Sequence, residues 1–212
     1  MAWLRHLSRR ALLVSGVLSL APPLGAARLR PADDLGRGPC ANASPRAVLA
    51  GPDEPGPRLL VRGRLFAPDG ERPAAGAILY AYQTDVTGVY NRDRSAPPRL
   101  RGHMKTDADG RFEYETIRPG SYPGSTIAAH VHHHAWGGGW PAQWLGELNF
   151  ADDPFVTAAE RARSDAAGRF AWVQAPRREG AVFVVELNLR LKAEGTGFEE
   201  RIRHGREACG LR

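Results

Sequence analysis

Asp107-Ala108-Asp109-Gly110-Arg111-Phe112-Glu113-Tyr114-Glu115-Thr116-Ile117 contains the local rule from which the rest of the chain is built. Its first four residues carry turn chemistry, because Asp and Gly tolerate the backbone angles that a tight reversal needs. From Arg111 onward charged and apolar side chains alternate, which is the period-two pattern of a strand with one face buried. Short runs of the same character recur at 59–66, 77–83, 127–133, 144–150, 168–173 and 181–191. Further turn signals separate them at Pro68-Asp69-Gly70 and Gly137-Gly138-Gly139. Many short strands joined by Gly-rich turns predict an all-β fold, an antiparallel β-sandwich. Helix-favouring composition is confined to Ala158–Ala167 and the last 20 residues, and both are expected at the periphery.

The chain has 212 residues with 42% hydrophobic content, enough for one real core and about one domain. Residues 1–27 read as an export signal peptide: Arg5, Arg9 and Arg10 precede an apolar run from Ala11 to Leu20, then Pro22, Pro23 and small residues to Ala27. A membrane-spanning helix needs roughly 20 apolar residues, about twice this run, so no membrane attachment is expected once the leader is cleaved. Ser8-Arg9-Arg10-Ala11-Leu12-Leu13 also resembles a twin-arginine leader, which would let the protein fold before export to the periplasm or beyond. Residues 28–57 are rich in Pro, Gly, Ala and Arg without periodicity and read as an extended N-terminal arm. The sandwich domain is expected over 58–192, with a C-terminal tail over 193–212.

The formal charge is +6, of which Arg5, Arg9 and Arg10 lie in the leader, leaving +3 on the remainder. The other arginines are interspersed with acids, as on an ordinary solvated surface, so a nucleic-acid partner is not expected. Cys40 and Cys209 are the two cysteines, one near each end of the mature chain. Export to an oxidising compartment makes a disulfide between them the expectation, with two free thiols as the alternative.

The chemistry concentrates in Ala129-His130-Val131-His132-His133-His134, inside a predicted strand. Side chains alternate along a strand, so His130, His132 and His134 share one face while His133 takes the other. Two imidazoles at i and i+2 can converge on one metal ion, although surface histidine clusters also occur without function. Upstream lie Thr116-Ile117-Arg118-Pro119-Gly120-Ser121-Tyr122-Pro123 and, earlier, Gln83-Thr84-Asp85-Val86-Thr87-Gly88-Val89-Tyr90. In this order, over roughly residues 58–191, these segments resemble the signature of the intradiol ring-cleavage dioxygenases. The bland alternative for Tyr90 and Tyr122 is that of half-buried aromatics in a sandwich.

The resemblance implies a catalytic domain holding Fe(III) through Tyr90, Tyr122, His130 and His132. It also implies a catechol and O2 as substrates, cleavage between the two hydroxyls to a muconate-type product, and Tyr122 as the catalytic phenol that leaves the iron and accepts a proton. Two phenolates offset much of the ferric charge, and the metal in turn pulls the phenol pKa far below its usual value near 10. His103 and His134 are candidates for a supporting role, Arg118 for orienting the loop of Tyr122, and Trp136, Trp140 and Trp144 for walls of an aromatic pocket. His133 is expected to face away from the metal. The chain departs from the family pattern in two places. No arginine stands between Tyr122 and His130, where Ile127 lies at or near its place, and Glu147 occupies a position where a glutamine often lines the pocket. An exported metal- or aromatic-binding sandwich without turnover is therefore the second reading. A cupin-type site is disfavoured because the first glutamate after His132 is the distant Glu147. The family's helical dimerisation region has no counterpart in 28–57, so the oligomeric state is left open.

Overall fold

The structure is a computed structural model that describes residues 40, 42–91, 93, 97–194 and 199–210. The expected leader and the first part of the arm lie outside the described residues.

Among the described residues ten strands form two five-stranded sheets. They are β1 (Arg46–Val48), β2 (Arg58–Phe66), β3 (Ile78–Gln83), β4 (Leu100–Lys105), β5 (Arg111–Ile117), β6 (His130–Gly137), β7 (Trp140–Phe150), β8 (Val173–Gln174), β9 (Arg177–Glu179) and β10 (Val182–Arg190). The first sheet runs β1-β5-β2-β10-β9 and the second β4-β3-β6-β7-β8. In β5 the alternation resolves as expected: Phe112, Tyr114 and Thr116 are buried while Arg111 and Glu115 are exposed. The inward residues of β2, β5 and β10, among them Leu59, Val61, Phe112, Tyr114, Val185 and Leu187, meet Leu79, Ala81, Val131, Ala135, Leu148 and Phe150 of the second sheet in one core.

The sandwich is mixed, which corrects the antiparallel expectation. β2–β5, β3–β4, β3–β6, β6–β7 and β9–β10 pair antiparallel, but β1–β5, β2–β10 and β7–β8 pair parallel. Parallel neighbours need long crossover connections. β10 joins β2 only after the chain has built the whole second sheet, and α1 (Ala158–Ala166) supplies the crossover from β7 to β8. α1 begins at Thr157, whose side chain accepts the Glu160 N–H at 3.1 Å. Its buried Ser164 accepts the N–H groups of Trp172 and Val173, both at 2.9 Å, and so delivers β8 to its edge.

Four local expectations shift. Arg46–Val48, within the stretch read as an arm, forms β1. β6 starts at His130, not Ile127. Gly168–Phe170 is a 3-10 turn begun by Gly168 at φ +58°, a conformation that interrupts a strand. β4 was not anticipated at all.

The second sheet is covered on both faces, which is why β3 reads as the unbroken buried run Ile78-Leu79-Tyr80-Ala81-Tyr82-Gln83. On its outer side Ile78, Tyr80, Tyr82 and Trp136 pack with Cys40 and Cys209, and Tyr90 leans on this cluster. Cys40 and Cys209 are disulfide-bonded across 169 positions. The bond pins α2 (Glu199–Ala208), where Gly205 is so close to Tyr80 that a β-carbon there would stand 2.8 Å from the ring.

Candidate metal centre

β6 carries His130 and His132 on the outer face of the second sheet, as the alternation requires. Two loops bring the phenols: Tyr90 sits between β3 and β4, and Tyr122 between β5 and β6. The four polar atoms converge. Tyr90 Oη is 2.5 Å from Tyr122 Oη and 2.8 Å from His132 Nε2, Tyr122 Oη is 3.0 Å from His130 Nε2, and the two Nε2 atoms are 3.1 Å apart.

Neighbouring groups set the histidine tautomers. His130 Nδ1 is 2.7 Å from the Ala128 carbonyl, which can only accept, so the proton sits on Nδ1 and Nε2 presents its lone pair. His132 Nδ1 faces Glu147 Oε1 at 3.3 Å, a carboxylate whose charge favours the proton on that nitrogen. Both imidazole lone pairs thus face the phenol oxygens, at 2.8 and 3.0 Å, within one cluster of four potential metal donors. The donor set fits a metal ion: two neutral imidazoles with outward-facing N–H groups, and two phenols that become anionic ligands when deprotonated. Burial, together with the Tyr122 phenol, pushes the Tyr90 pKa up, so deprotonation there requires a strong neighbouring positive charge.

The two loops are interlocked at glycines. A β-carbon on Gly88 would stand 1.9 Å from the Ser121 carbonyl oxygen, and one on Gly120 would stand 2.4 Å from that of Val86. The Gly120 N–H donates to the Asp85 carbonyl at 2.8 Å, and Thr84 Oγ1 donates to the Gly120 carbonyl at 2.8 Å. Asp85 closes its own loop, its carboxylate accepting from the Thr87 N–H, the Thr87 hydroxyl and the Val89 N–H. Burial works to raise the Asp85 pKa. The hydrogen bonds from Thr87 and Val89 and the nearby Arg99 outweigh it and hold the carboxyl below its ordinary value.

Arg118 does tie down the Tyr122 loop, through a bidentate pair with Asp152 at 2.6 and 2.7 Å, and its guanidinium lies 4.9 Å from the Phe150 ring centre. Asp153 accepts the Ala129 N–H at 3.1 Å and fixes the entry to β6. Neither aspartate was singled out from sequence, since only the fold brings the end of β7 beside this loop. Tyr82 was missed as well: its ring stacks on that of His132 with centroids 4.6 Å apart.

The other candidates separate from the cluster. His134 stacks on Tyr82 at 5.6 Å, while His103 stacks on Tyr80 and donates to the Gly205 carbonyl at 3.0 Å. His133 faces the inter-sheet core, where Tyr114 Oη lies 2.8 Å from its Nε2. Burial, and then His134, push its pKa down to about 3, so it is neutral. Trp136 is buried against Tyr80 and His103, and Trp140 packs on the core. Of the three tryptophans only Trp144 borders a cavity of about 370 Å³, shared with Glu147, Phe170, Trp172, Arg190 and Lys192 and lined by none of the four converging residues. Ile127 is 54% exposed.

Residues 35–192 match the family model Dioxygenase_C, described as dioxygenase. The protocatechuate 3,4-dioxygenase beta chain of Burkholderia cepacia is 29% identical over 149 residues, 64% of this chain and 59% of that one. Catechol 1,2-dioxygenase 1 of Acinetobacter lwoffii is 35% identical over 75 residues, 34% of this chain and 24% of that one. The chain thus spans less than two thirds of the length of these relatives. Among solved structures, the dioxygenase domain of a dioxygenase and carbohydrate-binding protein fusion from Streptomyces sp. SirexAA-E aligns with TM-score 0.55 and 30% identity, covering 72% of this chain and 91% of that domain. Catechol 1,2-dioxygenase from Pseudomonas arvilla C-1, at 20% identity, shares the fold with TM-score 0.57, covering 74% of this chain and 59% of that one. With the converging phenols and imidazoles lying inside the matched segment, the chain belongs to the intradiol ring-cleavage dioxygenase family.

Proposed function

We propose that this chain is a non-haem Fe(III) dioxygenase that opens catechol-type rings between their two hydroxyls to give muconate-type dicarboxylates. The observation that carries this reading is the convergence of Tyr90, Tyr122, His130 and His132, with both imidazole lone pairs turned inward. When bound, a ferric ion supplies Lewis acidity that makes a catecholate reactive toward O2. His130 and His132, held from behind by the Ala128 carbonyl and by Glu147, act as the fixed donors. Tyr90 is braced by the Tyr82 cluster. Tyr122, carried on a loop, would as a phenolate help to hold the ion and would accept at its Oη the proton of an arriving catechol hydroxyl.

Export completes the proposal. The leader pattern over residues 1–27 supports it, and so does the Cys40–Cys209 disulfide, a bond that persists in oxidising compartments. The mass of the protein recovered outside the cytoplasm checks it, the expected value being that of a chain cleaved near Ala27.

The activity is tested by loading the chain with iron and recording its visible spectrum and oxygen uptake with and without catechol. A phenolate-to-iron charge-transfer band that shifts with catechol while oxygen is consumed supports turnover. The band without uptake supports the binding-only reading, which the absence of an arginine between Tyr122 and His130 favours. A colourless protein overturns the iron site.

A further inference from the structure

The two histidines of the centre are supported differently. His130 rests on a backbone carbonyl, 2.7 Å from its Nδ1. His132 rests on a carboxylate: the β6–β7 register places Glu147 directly across from it on the same face, with Oε1 3.3 Å from Nδ1. Among the described residues no Arg or Lys forms an ion pair with that carboxylate within 4.0 Å, so the imidazole is its nearest partner. The Glu147 side chain is 32% exposed and borders the 370 Å³ cavity, so it can be exchanged without opening the core. A carboxylate behind a metal-bound imidazole fixes the ring and raises its basicity, whereas a neutral carbonyl does less. The stretch Pro123-Gly124-Ser125-Thr126-Ile127-Ala128-Ala129 adds no positive charge on the other side.

We propose that Glu147 is the positioning carboxylate of this centre. It locks His132 in the Nδ1–H tautomer, makes that imidazole the stronger nitrogen donor, and biases the site against catechols that themselves carry a carboxylate. The proposal rests on the iron reading above. Glu147 meets His132 at Nδ1, so it acts on the centre through the imidazole and through its field.

Glu147→Gln and Glu147→Ala separate charge from position. In Glu147→Gln the side-chain oxygen can still accept from Nδ1–H but the charge is gone. The charge-transfer band of the iron-loaded variant should move to longer wavelength, because a weaker donor leaves the metal orbitals lower in energy. Binding of 4-hydroxybenzoate relative to phenol should improve about tenfold, the size expected for removing one charge near the site. In Glu147→Ala the ring loses its support. Nitrogen-15 NMR of the metal-free chain should show His132 no longer confined to the Nδ1–H form, and iron affinity should fall on the order of 10–100-fold. Gln restoring the tautomer that Ala loses supports the positioning role. A coloured wild type whose band and inhibitor ratio are unmoved in Glu147→Gln, or a tautomer unchanged in Glu147→Ala, overturns the proposal alone. A wild type that stays colourless with iron overturns the iron reading and this selectivity together.

Discussion

Tyr90 and Tyr122 meet at 2.5 Å in a cluster whose nitrogen neighbours keep their protons on the far side of each ring. Each phenol supplies one anionic donor in the proposed centre, so Tyr90→Phe and Tyr122→Phe should each remove part of the charge-transfer intensity. Each should also weaken iron by at least the 10–100-fold typical of disturbing a ligand's support, read by competition with a chelator. On the opposite face of the same strand, His133 and Tyr114 form a buried pair in the core with no part in the centre. Tyr114→Phe leaves the His133 Nε2 without that partner and should cost about 1–3 kcal/mol in urea unfolding while leaving the visible band in place. Which histidines share a face was legible from the sequence because the period of a strand is local. The support of His132 by Glu147 was not, since it depends on a cross-strand register that shifts at the bulge between His133 and His134.

The loops that carry the phenols act as one unit, because each glycine gives the other loop's backbone room to approach. Gly88 has φ +82° and its missing β-carbon would collide with the Ser121 carbonyl, so Gly88→Ala should separate Tyr90 from Tyr122. The expected outcome is loss of most iron affinity with a much smaller change in the unfolding midpoint, measured on the same preparation by metal titration and urea denaturation. Asp85, the anchor of this unit, titrates with a lowered pKa in the folded state. The unfolded chain therefore binds that proton more readily. The stabilisation is complete above the unfolded value near 3.9 and is lost as pH falls through the folded one. The contribution of Asp85 to folding stability should thus fade below about pH 4 in urea unfolding, and Asp85→Asn should lower stability at neutral pH and flatten that acid limb. Strong alternation made β5 and β10 readable as elements. β4 was not, because Leu100-Arg101-Gly102-His103-Met104-Lys105 buries only its first and fifth residues and is apolar only there. The 168–173 run misled for the opposite reason: Phe170, Trp172 and Val173 are apolar, yet the backbone at Gly168 turns first.

Across the whole molecule, alternation announced two-faced strands but carries no information about which strands become neighbours. That is why the parallel β2–β10 seam, closed from Phe183↔Leu59 to Arg190↔Phe66, was invisible in the sequence. The cysteine pairing was legible, because two cysteines allow one intramolecular bond. Closing a loop of 169 positions restricts the unfolded chain, so reduction should lower stability by up to about 5 kcal/mol, seen as a drop in the urea midpoint with dithiothreitol. The same bond has a mechanical consequence. A pulling force applied to the chain outside Cys40 and Cys209 runs through the sulfur bridge and by-passes every strand, so tension cannot shear either sheet. Stretched by its ends, the oxidised protein would behave as a short inextensible link. Once reduced, it would yield roughly 550–600 Å of new contour length at full extension, with both sheets and the phenol-bearing loops suddenly in the line of force.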